Sequence, residues 1–98
     1  MSANLTAEEQ KKLQADFDAA AKQALVLKKK PTDGEMLELY GLFKQANEGE
    51  ITDKTPVPGM LDFKGKAKFT AWKNNAGMSK TAAQTAYIAL VDKLNNPV

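Results

Sequence analysis

Between Thr32 and Gly49 the chain carries Met36, Leu37, Leu39, Tyr40, Leu42, Phe43 and Ala46. On a helical wheel these cover roughly two thirds of the circumference, where a surface helix needs a stripe of only about 100°. A helix that apolar must serve more than one neighbour. The neighbour can be another helix, a second chain or an apolar ligand. No alternating run of β-branched residues appears anywhere, so the covering elements are expected to be helices as well.

The segment has its own start and stop. Thr32 with Glu35 has the spacing of a capping box, and Gly49 is placed to end the helix near Glu48. Upstream, Thr6 and Glu9 repeat that spacing. Leu13, Phe17, Ala20, Ala21, Ala24 and Leu27 then recur at helical intervals and predict a helix over residues 7–28. Lys28, Lys29 and Lys30 close it, where cations suit the helix dipole, and Pro31 stops it. A third helix is predicted over residues 62–74 with Asp62 as N-cap. A fourth spans residues 80–95 behind Ser79, with Ala83, Ala86, Tyr87, Leu90, Val91 and Leu94 on one stripe, and Asn95, Asn96 and Pro97 stop it. Residues 50–61 hold Pro56, Pro58 and Gly59 without a period and form a loop, long for a helical bundle. Residues 1–5 read as a tail. The expectation is all-α, a four-helix bundle in a single domain spanning residues 1–98.

Charge and composition narrow the chemistry. Fourteen basic residues, all lysine, oppose twelve acidic ones, for a net charge of +2. That balance, and the lack of the arginine fork that reads base edges, weigh against a nucleic-acid binder. Without cysteine or histidine, Cys/His metal sites and the His-activated nucleophiles are excluded. No pair of carboxylates, lysines or tyrosines stands out for catalysis, so the chain is read as a non-enzyme needing no cofactor. There is no signal-peptide pattern and no apolar run long enough to span a bilayer. A cytoplasmic address without stable membrane insertion is expected.

Residues 58–72, PGMLDFKGKAKFTAW, interleave Lys64, Lys66 and Lys68 with Met60, Phe63, Phe69 and Trp72. Helical spacing sets Phe63, Ala67 and Ala71 on one core stripe, with Lys64 and Lys68 along its edge and Lys66 on the far side. Stacking surface beside positive charge suits a nucleotide bearing phosphates. The plainer alternative is a solvated lysine face over an aromatic core. Tyr40 and Lys44 are likewise four apart and adjacent on the second helix.

LYGLFKQANEG (residues 39–49) followed by PGMLDFKGKAKFTAW closely resembles the acyl-CoA-binding protein family, with Tyr87 at the expected late position. The resemblance runs from about Phe17 to Leu94. It implies a cytosolic four-helix bundle that binds, carries and buffers long-chain acyl-CoA. It implies Tyr40, Phe43, Lys44, Lys64, Lys68 and Tyr87 as residues that bind acyl-CoA, with Tyr40 and Lys44 at the nucleotide end, Phe43 lining the head-group site and Lys68 near the ribose 3′-phosphate. Ala20, Ala21, Met36 and Leu37 would form the acyl groove. The implied state is a monomer making transient contact with acyl-CoA-using enzymes. Phe43 stands where tyrosine is common, Leu25 where many members carry a lysine, and the loop before Pro58 is slightly longer than usual.

The physical demands agree. Base–aromatic stacking contributes roughly 1–3 kcal/mol, and a tail of about fourteen methylenes offers on the order of 10 kcal/mol before ordering costs. The ester should therefore bind far more tightly than free CoA. Two other readings compete: a nucleotide or nucleic-acid binder using the lysine-rich segment, and a helical module whose groove takes a partner helix.

Overall fold

Thr6 and Thr32 both close capping boxes. Thr6 N–H donates to Glu9 Oε1 at 2.9 Å while Glu9 N–H donates to Thr6 Oγ1 at 3.1 Å. Thr32 and Glu35 repeat the exchange at 2.8 and 3.1 Å. These reciprocal bonds satisfy donors that a helix start otherwise leaves open. They fix the starts of α1 (Ala7–Gln23) and α2 (Asp33–Glu48). The computed structural model describes residues 5–96. It adds α3 (Phe63–Lys73), capped by Asp62, and α4 (Lys80–Asn95), capped by Ser79. No strand occurs among the described residues, so the fold is all-α with four helices. Of the residues read as a tail, 1–4 lie outside the described part, as does Pro97. Leu5 is half-buried near the start of α4.

α4 packs against both α1 and α2, and α2 packs in turn against α3. The molecule measures 43 × 34 × 20 Å, about two helix diameters in its thin direction. That is why α2 needs its wide apolar arc: it packs against α3 on one side and α4 on the other and also borders a groove. The core joins Phe17 and Ala20 of α1, Leu39, Leu42 and Ala46 of α2, and Ala83, Tyr87 and Val91 of α4. A fully buried side chain of this kind contributes about 1.5–3 kcal/mol.

α1 ends earlier than its periodicity predicts. After Gln23 the backbone tightens into a 3₁₀ turn, Ala24–Val26, and Leu27 is extended. Leu27 still reaches the core, but from outside the helix. Its apolar spacing therefore mimics a helical stripe. Lys28, Lys29 and Lys30 lie in the connection beyond and do not close the helix; Lys22 is the lysine in its last turn. Phe63 departs too: it is 72% exposed, while Ala67 and Ala71 on the same stripe are partly covered. As the first residue of α3 it has no preceding turn to shelter it.

Two glycines have structural causes. Gly49 ends α2 at φ 79°, a left-handed conformation that disfavours any Cβ. Gly41 lies where α2 and α3 cross, and a Cβ there would come within 2.4 Å of the Ala71 carbonyl oxygen. Beside this crossing the buried Gln45 amide donates to Glu50 Oε1 at 2.6 Å and to the Met78 carbonyl at 2.7 Å. Gly77 N–H donates to the same Glu50 carboxylate at 2.9 Å. The end of α2 is thereby tied to the α3–α4 turn.

Candidate functional site

An open groove of about 470 Å³ runs between the end of α1 and the exposed side of α2. Ala21, Ala24 and Leu25 form one wall, at the spacing of one helical face. Met36, Leu39 and Tyr40 form the other, and Phe43 and Tyr87 lie at its base. The base is an aromatic cluster. Phe43 stacks on Phe17 with centroids 5.7 Å apart, Tyr87 meets Phe17 edge-on at 5.1 Å, and Phe43 and Tyr87 are 5.8 Å apart. Such contacts fix ring orientation beyond what burial alone does. Burial also pushes the Tyr87 hydroxyl above the usual tyrosine range, because the phenolate would lose its hydration.

Two lysines cross-link α2 and α3 beside the groove. Lys68 Nζ stands over the Tyr40 ring at 5.3 Å, and Lys44 Nζ stands over the Trp72 ring at 5.0 Å. Tyr40 and Lys44 are one turn apart on α2; Lys68 and Trp72 are one turn apart on α3. Each helix therefore offers one cation and one aromatic to the other. The clasp is possible because Gly41 lets the backbones approach. Trp72 is anchored by its indole N–H, which donates to the Gly49 carbonyl at 2.9 Å. Lys44 also ion-pairs with Glu48 on its own helix. Lys64 is exposed one turn before Lys68 on the same edge of α3.

The structure brings Ala21, Met36, Tyr40, Phe43 and Tyr87 to the groove, with Lys68 and Lys44 beside it. It does not bring Ala20 or Leu37 there. Ala20 is buried in the core behind Ala21 and faces the α1–α4 seam. Leu37 lines a separate cleft between α2 and α3. Sequence reasoning missed Ala24 and Leu39 as groove residues, although their helical spacing from Ala21 and Met36 carries the signal, and marked Leu25 only as standing where many members carry a lysine. It also missed Glu48, four residues beyond Lys44. Chemically, the arrangement joins an apolar trough to exposed ammonium groups and ring faces. Among the described residues no group of carboxylates is gathered to hold a metal ion, and no helix is long and apolar enough to cross a membrane.

The sequence model of the family described as Acyl CoA binding protein matches residues 14–91. An acyl-CoA-binding protein homolog from Manduca sexta is 55% identical over 82 residues, covering 84% of this chain and 90% of that protein. Acyl-CoA-binding protein homolog 1 from Caenorhabditis elegans is 50% identical over 78 residues, covering 80% and 88%. Among solved structures, the crystal structure of acyl-CoA-binding protein 2 from Oryza sativa superimposes with a TM-score of 0.77 at 38% identity, covering 84% of this chain and 89% of that one. The crystal structure of the protein from Moniliophthora perniciosa gives 0.70 at 37% identity, covering 86% and 85%.

Proposed function

The chain belongs to the acyl-CoA-binding protein family, and on that premise we propose that it binds long-chain acyl-CoA esters as a carrier and buffer in the cytosol. The observation that carries this reading is the junction of the apolar groove with the lysine–aromatic clasp at Tyr40. The acyl chain lies along Ala21, Ala24, Leu25, Met36 and Leu39, above the Phe43–Tyr87 base. Adenine stacks on Tyr40, exchanging a cation–π contact for a ring contact of roughly 1–3 kcal/mol. Lys68, displaced from the ring, takes the ribose 3′-phosphate, with Lys64 one turn away adding charge. Lys44 turns from Glu48 to the remaining phosphates. Charge-assisted bonds of this kind contribute roughly 1.5–3 kcal/mol each when shielded. The protein does no covalent chemistry on the ester; it is one domain acting as a single binding unit.

Calorimetric titration with palmitoyl-CoA, free CoA and palmitate in parallel tests the reading. Tight one-to-one binding of the ester, with both fragments much weaker, is expected. Equal affinity for the ester and free CoA would mean that the groove does not take the tail.

A further inference from the structure

The apolar groove adjoins a second cavity with a different lining. Pro31 lines both. Beyond it a cleft of about 450 Å³ lies between the connection that precedes α2 and the last turn of α4. Pro31 and Leu94 are its half-buried apolar part, and Lys29, Lys30 and Lys93 stand exposed around them. Among the described residues Glu35 is the one acid in the lining. Three lysines less one glutamate leave that lining at +2. The Glu35 carboxylate is itself engaged, accepting from Thr32 N–H at 2.8 Å. Asp33 and Asp92 are close in sequence but do not line the cleft. Asp92 lies on the α1–α4 seam and accepts from the Asn96 amide at 3.1 Å. None of the three lysines forms an ion pair among the described residues.

We propose that this cleft receives the far carboxylate of a long-chain dicarboxylic acyl group, bound as its CoA monoester. The inference rests on the carrier reading, under which the head group lies at Tyr40 and the acyl chain runs along α2 toward Pro31. From Tyr40 to the cap at Thr32 is eight residues, about 12 Å along the helix. An extended chain advances about 1.2 Å per bond, so about ten bonds reach Pro31 and a chain of about sixteen carbons passes beyond it. A methyl end arriving there meets Pro31 and Leu94. A carboxylate end meets three ammonium groups. Held inside the groove, a terminal carboxylate would lose its hydration without a partner, which is costly. In the cleft it stays partly hydrated and is paired. A free phosphate or a lipid headgroup would find the same lysines, but neither uses the apolar groove that leads to them.

The test is calorimetric titration of the full chain with palmitoyl-CoA and with the CoA monoester of hexadecanedioic acid. Both are repeated on the triple variant Lys29→Gln, Lys30→Gln, Lys93→Gln. The parent chain is expected to bind the diacid ester within about threefold of palmitoyl-CoA. The triple variant should lose about tenfold for the diacid ester and stay within about twofold for palmitoyl-CoA. Its loss should shrink at high salt, with an unchanged melting transition because all three side chains are exposed. A diacid ester bound more than about tenfold more weakly than palmitoyl-CoA by the parent chain overturns the proposal. So does a triple variant that weakens the diacid ester no more than palmitoyl-CoA. Both of those outcomes leave the carrier reading standing, whereas no binding of palmitoyl-CoA by the parent chain overturns the two together.

Discussion

Lys68 covers the Tyr40 ring from 5.3 Å, so the third helix lays a cation on an aromatic side chain that also lines the groove. With Lys44 on Trp72 at 5.0 Å, the clasp holds two ammonium groups beside two rings before any anion arrives. Both lysines are thereby held near the groove, and on the proposed reading each gives up its present contact when a phosphate binds.

Lys68→Ala should weaken acyl-CoA binding about tenfold or more, roughly 1.4 kcal/mol. Lys66→Ala, on the opposite side of α3, should stay within about twofold. Titration calorimetry on both variants decides it. Equal losses would remove Lys68 from the phosphate site.

Glu48 ion-pairs with Lys44, so on the proposed reading a bound ligand must displace that carboxylate. Glu48→Gln removes that competitor and keeps the side chain's shape. Affinity for acyl-CoA should rise about two- to fivefold, since exposed ion pairs contribute roughly 0.2–1 kcal/mol. The gain should shrink at high salt. A loss of affinity would mean that Glu48 serves to hold Lys44 in its binding pose.

Phe43→Tyr should be neutral or tighten binding by a few-fold. The ring stacks on Phe17 and leans on Tyr87, yet it is 38% exposed on the groove side. A hydroxyl can therefore reach solvent or the head group and gain about 0.5–1.5 kcal/mol. A large loss of affinity in calorimetry would mean that its edge is sealed in a dry contact with the tail.

Much of this fold is written in local chemistry. Thr6–Glu9, Thr32–Glu35, Asp62 and Ser79 are caps that act within three residues, so their spacing names the helix starts directly. Gly49 does the same for an end. Leu27 misled because side-chain spacing does not encode how the backbone gets there: an extended residue can reach the same core as a helical one. Ala20 and Leu37 lie outside this groove for a related reason. A wheel tells which face is apolar, but Ala20 and Ala21 differ by one step and fall on opposite sides of the α1–α4 contact. The clasp was half legible: four-residue spacing aligned Tyr40 with Lys44 and Lys64 with Lys68. The pairing of Lys44 with Trp72 and Lys68 with Tyr40 depends on how closely α2 and α3 approach at Gly41, which only tertiary packing decides.

Gly41→Ala is the sharpest test of that approach. The added Cβ would sit 2.4 Å from the Ala71 carbonyl oxygen and 2.7 Å from its carbon. These are backbone atoms, so the helices must separate. Overpacking costs about 1–3 kcal/mol, offset by up to about 1 kcal/mol of helix propensity. A net loss near 1–2 kcal/mol is expected in urea unfolding, together with weaker acyl-CoA binding as the separating helices carry Lys68 away from the groove. Unchanged stability and affinity would mean that the crossing is loose.

Glu50 sets an acid limit on the fold. Its carboxylate is held below the usual range chiefly by the Gln45 amide, then by Gly77 N–H. A depressed folded pKa favours the charged form in the native state. The resulting stability is present above the unfolded value, near 4.3 for glutamate, and is lost as pH falls through the lower folded value. Glu9, held down by the Thr6 backbone and hydroxyl, contributes with the same sign. Unfolding free energy should thus be flat in this respect from pH 7 to about 5 and decline below about pH 4.3. In Glu50→Gln the decline should be shallower, because one of the two linked protons is gone. Urea midpoints measured across that interval check it: parallel acid limbs for the variant and the parent chain would mean that Gln45 and Gly77 do not hold the charged carboxylate in solution.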